Sequence, residues 1–146
     1  MTERAFHLPS RAAHDWPSNE LTELALEIEL DGVWQAEALS THSPPFRAFL
    51  CALLMCQHAY LRMNAAERGL VLGGVRGELQ VATDDWTVLR IESRFDLELR
   101  EGVPSDEDLS FIRERIEECP IARNLPNAVK RTTLIGVPVA SRPENT

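Results

Sequence analysis

The chain has 146 residues, 44% hydrophobic and 26% charged, which is the size and composition of one globular domain and excludes wholesale disorder. Fifteen basic against 23 acidic residues give a net charge of −8, so nucleic acid and anionic membrane surfaces are excluded as partners. Three cysteines are too few for a disulfide scaffold, and only Lys130 among the basic residues is not an arginine.

The segment 1–20 holds Pro9, Pro17 and scattered charges, and is expected to be an irregular arm before a single domain over 21–140 and a polar tail over 141–146. No apolar run has the length of a signal peptide or a membrane span, which predicts a soluble, cytoplasmic protein with reduced thiols. Leu24, Leu26, Ile28 and Leu30 alternate with polar neighbours as a one-sided strand does, and Asp31-Gly32 predicts a hairpin returning over Val33 to Leu39. Ser43-Pro44-Pro45 reads as a helix start with Ser43 as N-cap. Apolar residues at helical spacing then predict a central, largely buried helix that Gly69 closes. A second hairpin carries Val75, Leu79 and Val81, turns at Asp84-Asp85, and returns through Leu89, Ile91, Phe95, Leu97 and Leu99 to Gly102 and Pro104. Ser105 with Asp108 opens a second helix, whose apolar face includes Leu109, Ile112, Ile116 and Cys119 before Pro120 stops it. Thr132 to Val139 reads as a last strand. The order ββ-α-ββ-α-β is that of an α+β fold with sheet on one side and helices on the other.

Cys51 and Cys56 point ~140° apart on a helix, so they do not share a pocket. Cys56 lies on the stripe of Phe49, Leu53, Tyr60 and Met63, while Cys119 ends the apolar face of the second helix. Two readings stand at this point: all three thiols are small buried hydrophobes, or Cys56 and Cys119 meet across the two helices. Neither lies at a helix N-terminus, so a reactive thiolate would need an arginine beside it.

The run Phe49-Leu50-Cys51-Ala52-Leu53-Leu54-Met55-Cys56, continued by Leu61-Arg62-Met63 and Arg68-Gly69-Leu70, resembles the central helix of the OsmC/Ohr proteins. These are the osmotically induced protein C and organic hydroperoxide resistance proteins. Glu118-Cys119-Pro120-Ile121-Ala122-Arg123-Asn124-Leu125 is similar to that family's segment with the second cysteine. The resemblance spans about Leu24 to Val139. It implies a thiol peroxidase in which Cys56 attacks an organic hydroperoxide and becomes a sulfenic acid, and Cys119 condenses with it to a disulfide. It further implies an intertwined homodimer, no bound cofactor, and a lipoyl-type dithiol as reductant. An apolar substrate pocket is expected at Phe46, Phe49, Leu53 and Met63.

Where the family carries a glutamate in the first turn of the central helix, this chain has Phe46. The arginine that such a glutamate orients has no evident counterpart, since the tight Asp31-Gly32 turn leaves it no loop; Arg4 and Arg11 in the first arm are the basic residues available. Arg47 and His42, beside the helix start, are further supporting candidates, the histidine because its pKa suits proton transfer. His58 points ~200° from Cys56, toward a surface or core edge. No zinc-type spacing, P-loop, GxSxG or dinucleotide motif occurs, so no metal site is expected. Two alternatives accompany the peroxidase reading. One is a divergent member using Cys56 for acyl, sulfur or thiol-disulfide transfer; the other is a non-catalytic dimer that binds a hydrophobic ligand.

Overall fold

The structure, a computed structural model, describes residues 3–30 and 32–138. Strands β1 (Glu3–Asp15), β2 (Glu20–Leu30) and β3 (Val33–Ala36) precede helix α1 (Pro45–Glu67). Strands β4 (Val71–Asp84) and β5 (Thr87–Glu101), helix α2 (Asp106–Ile116), a 3-10 turn (Ala122–Asn124) and strand β6 (Lys130–Gly136) follow. All six strands form one sheet in the order β3-β2-β1-β4-β5-β6. Neighbours are antiparallel except β5 and β6, which run parallel. The fold is α+β, as expected, with one strand more than expected.

That extra strand is β1, and it corrects the irregular arm expected over 1–20: residues 3–15 are a central strand paired with both β2 and β4. Leu8, Ser10, Ala12 and His14 are its buried face. Two of those four side chains are polar and one is alanine, so the alternation was muted in hydrophobicity even though it is regular in burial. Among the described residues the β1–β2 ladder runs from Ser10 to Asp15, so Pro9 is paired on the β4 side, with Glu78.

Strands β2 and β3 pair antiparallel down to Leu30 opposite Val33, with Gly32 at φ +80° in the turn; Asp31 lies outside the described residues. The second hairpin turns one residue later than expected, at Asp85-Trp86, with φ of +46° and +73°, so Asp84 still pairs with Thr87. Both turn residues are left-handed, as a two-residue turn matching strand twist requires. The strain at Trp86 is offset by its indole, which packs edge-on to Phe46 at 5.4 Å and lies beneath the Arg4 guanidinium at 4.4 Å.

Helix α1 starts behind Pro44, without a side-chain cap, and Ser43 does not serve as the N-cap. Its hydroxyl instead accepts the Ser40 N–H within the preceding turn, at 2.9 Å. At the other end the Gly69 N–H reaches Ala66 O and the Leu70 N–H reaches Ala65 O, both at 3.0 Å, with Gly69 left-handed at φ +75°. Leu50, Leu53, Leu54 and Leu61 are fully buried, each contributing about 1.5–3 kcal/mol over exposure. The opposite side is not covered: Met55 and Met63 are 42% and 46% exposed. Helix α2 carries a complete capping box between Ser105 and Asp108 and packs Ile112 and Ile116 inward. It ends at Ile116, so Cys119 belongs to the following loop rather than to the helix face, and Pro120 follows the stop rather than making it. Strand β6 begins at Lys130, two residues ahead of the expected Thr132; Val139 lies outside the described residues.

Candidate active site: a half-buried thiol against a buried one

Cys56 sits mid-way along α1 and is partly exposed, whereas Cys119 and Cys51 are fully buried. The loop after α2 fixes Cys119 by its own backbone: its N–H donates to Ile116 O at 3.2 Å and its carbonyl accepts the Arg123 N–H at 2.9 Å. Its sulfur accepts the Ala122 N–H at 3.3 Å. Cys56 is near enough to Cys119 to act on its thiol. Burial holds the Cys119 thiol well above its usual pKa; the Ala122 amide partly opposes this, and the neighbouring Cys56 adds to it. Two cysteines 63 positions apart in the chain are therefore neighbours in space, and one is sealed while the other meets solvent.

The other candidate residues lie elsewhere. Arg47 pairs with Glu37 at 3.3 Å, on the side of α1 that carries Cys51. Nine helical residues separate Arg47 from Cys56, which is about half a turn of direction and ~13 Å of axis. Cys51 is pushed up to about 11 by burial first and Glu37 second, with Arg47 partly opposing them. Arg11 faces the opposite side of the sheet from α1, in an open groove of about 770 Å³ that Arg76, Glu78 and Glu98 also line. His42 is exposed in the turn before α1, and the start of that helix is ~16 Å of axis from Cys56. Phe46 and Phe49 join Phe6 and Trp86 in an aromatic cluster at the start of α1, with ring centroids 5.2–6.1 Å apart. Leu53 lies in the core and Met63 faces out, so the four expected pocket residues do not converge on one cavity.

Sequence reading passed over two arrangements. Arg131 of β6 donates to Ala122 O at 2.7 Å, tying the loop that presents Cys119 to the sheet; a basic residue in a short strand gave no signal of this. His58 lies in the core, not at an edge, with Nε2 at 2.7 Å from Ser10 Oγ. A Cβ at Gly77 would lie 2.6 Å from that hydroxyl and 2.9 Å from Nε2, so the glycine is what admits the pair. His14 is buried nearby, and neither of its ring nitrogens has a hydrogen-bond partner among the described residues. Burial first, then His14, brings His58 down to about 3; burial, then Arg62 and Arg100, bring His14 down to about 4.

A long helix laid on a mostly antiparallel sheet, with one thiol on the helix near a second in a cysteine-proline loop, defines a class of small thiol-bearing α+β proteins. The chain belongs to the OsmC-like protein family, whose sequence model matches residues 38–133. No curated protein sequence is a significant match. Among solved structures it is similar to an OsmC-like hydroperoxide resistance protein from Jannaschia sp., at TM-score 0.55 and 13% identity over 82% of this chain and 85% of that one. It is also similar to an osmotic stress induced and detoxification response protein from Psychrobacter arcticus, at TM-score 0.54 and 16% identity over 86% and 87%. The OsmC-like protein of Mycoplasma pneumoniae matches at TM-score 0.53 and 15% identity over 77% and 88%. At such identities these likenesses are likenesses of fold. Among the described residues, no helix is long and apolar enough to cross a membrane.

Proposed function

We propose that the protein is a cytoplasmic thiol peroxidase for organic hydroperoxides, with Cys56 as the peroxide-reacting thiol and Cys119 as the thiol that resolves it. The observation that carries this is a partly exposed cysteine placed beside a sealed one. The Cys56 thiolate attacks the terminal oxygen of R–O–O–H. The S–O bond forms as the O–O bond breaks, and the alkoxide leaves as the alcohol with a proton from water. The Cys119 sulfur then attacks the sulfenic sulfur; the S–S bond forms, the S–O bond breaks, and hydroxide departs as water with the thiol proton. A lipoyl-type dithiol returns both cysteines to thiols and is itself oxidised to its cyclic disulfide. The name of the Jannaschia relative supports the substrate class. The uncovered Met55 and Met63 on α1 support a homodimer that covers this side of the helix.

The test is turnover of cumene hydroperoxide with dihydrolipoamide as reductant, in the parent chain and in Cys56→Ser. The expected result is loss of at least 100-fold in the variant and a Cys56–Cys119 disulfide in the oxidised parent. Equal rates in the two proteins overturn the proposal. A second reading, acyl or sulfur transfer at Cys56, is favoured by the placement of the Arg47–Glu37 pair away from that thiol. An acyl or persulfide adduct on Cys56 by mass spectrometry would distinguish it.

A further inference from the structure

Along β6 the side chains of Arg131 and Thr133 turn inward, while Lys130 and Thr132 face solvent. A guanidinium keeps its charge at any ordinary pH, so an arginine on an inward face is held by whatever it binds. Arg131 forms no ion pair among the described residues, although Glu117 borders the same small cavity. Its Nη1 donates instead to the Ala122 carbonyl at 2.7 Å, and the Ala122 N–H donates to the Cys119 sulfur at 3.3 Å. One alanine is thus gripped at both ends, by the sheet and by the thiol. The other hydrogen bonds of this segment, among the described residues, are local, such as Cys119 N–H to Ile116 O, Arg123 N–H to Cys119 O and Leu125 N–H to Ala122 O. Local bonds shape the turn; the bond from Arg131 ties that turn to the sheet.

To close a disulfide, the Cys119 sulfur must give up its proton, and in a sealed site no water steadies the charge that forms. Burial pushes this thiol up to about 11, and the Ala122 amide pulls against it. An N–H on a sulfur binds more strongly once that sulfur is an anion, so the amide acts most at the moment of attack. We infer that Arg131 is a positioning residue for the resolving step: by holding Ala122 against the sheet it keeps the Ala122 N–H on the Cys119 sulfur as that sulfur attacks. Arg131 touches neither thiol in this scheme and acts through one residue of backbone. The inference rests on the reading of Cys56 and Cys119 as a redox pair, and it is tested without any peroxide.

The experiment follows thiopyridone release at pH 8 from one equivalent of dithiodipyridine added to the reduced parent, Arg131→Met and Arg131→Lys. In the first phase the Cys56 thiolate attacks one sulfur of the reagent, a mixed disulfide forms and one thiopyridone leaves. In the second phase Cys119 attacks the Cys56 sulfur, the Cys56–Cys119 bond forms and the second thiopyridone leaves. Cys119→Ala, which lacks the second phase, assigns it. One hydrogen bond to a charged acceptor corresponds to about a tenfold change in thiolate population. In Arg131→Met the second phase is expected to slow about tenfold while the first stays within about twofold of the parent. Arg131→Lys keeps a donor for the carbonyl and should hold the second phase within about threefold. An unchanged second phase in Arg131→Met overturns the inference, and so does equal slowing of both phases or an equal loss in the lysine variant. Should Arg131→Met fail to fold, hydrogen exchange at the Ala122 amide of the reduced parent decides: slow exchange is expected, and exchange at the open-chain rate refutes the bond. A parent that releases no second thiopyridone removes the redox pair itself, and the inference with it. Absence of peroxidase turnover with the Arg131 result intact removes the proposed function alone.

Discussion

Lowering the pH from 8 to 5 is expected to destabilise this protein steeply, through two histidines and ahead of its carboxylates. His14 and His58 are buried as neutral rings, with pKa values brought down from 6.5 to about 4 and about 3. In the unfolded chain both return to the ordinary range, near 6.5. Unfolding therefore takes up protons once the pH drops below that value. The stability held by the neutral rings is complete above pH 6.5 and is lost as the pH falls toward the folded values. At pH 5, about 1.5 units below the unfolded value, each ring has cost about 2 kcal/mol, and the pair about 4 kcal/mol if they act independently. That is a large share of the 5–15 kcal/mol that holds a typical domain together. Urea unfolding followed by circular dichroism at pH 8, 7, 6 and 5 reads the loss directly. Near pH 5 the slope should correspond to nearly two protons taken up on unfolding, and a His14→Leu variant should show about one fewer. A stability that is flat from pH 8 to 5, or a slope unchanged in His14→Leu, refutes the reasoning. The lowered Asp108 does not confuse the result, because a carboxylate already below its ordinary value loses its contribution only at lower pH.

Gly77→Ala places a Cβ inside contact distance of Ser10 Oγ, His58 Nε2 and Phe95, so it is expected to break the Ser10–His58 hydrogen bond and cost about 1–3 kcal/mol by overpacking; a melting temperature that does not move refutes it. Glu37→Gln removes the acidic partner of Arg47 and the charge that helps hold Cys51 protonated, so stability should fall by up to about 3 kcal/mol while the Cys51 thiol titrates at lower pH than in the parent. Thiol titration in mild denaturant measures the second effect, and an upward move in the variant contradicts the assignment.

Features written in local chemistry were legible before any coordinates. The Ser105–Asp108 box starts α2 and the left-handed Gly69 closes α1 where the residues say they should, because a cap is satisfied within four residues. The central helix was legible from its apolar spacing; the cysteine-proline segment was legible as a motif, but it was expected to end α2 and instead lies in the loop after it. What stayed hidden was set by partners far along the chain. β1 is a central strand because β4, more than sixty residues further on, pairs with its second edge, and its inward Ser10 looks like a surface residue until His58 arrives opposite. Arg47 sits one residue from Phe46, but its carboxylate, Glu37, comes from a loop whose path no periodicity encodes. The turn at Asp85-Trp86 ran against residue preference: a tryptophan is a poor choice for a left-handed position, and only the aromatic contacts across the sheet explain it.

Because β1 lies between β2 and β4, the first strand made is also the plank that joins the two halves of the sheet. Its partners on β4 lie 61 to 81 residues further along, from Ala13 opposite Gly74 to Glu3 opposite Asp84. As the chain emerges, β1 and β2 can zip into a local hairpin at once, but the other edge of β1 stays open until α1 and β4 have followed. Closing so long a loop costs entropy before any contact returns it, which places this pairing among the slow steps of folding. During that interval the unpaired edge of β1 is the segment of the nascent chain most able to join a strand from another molecule.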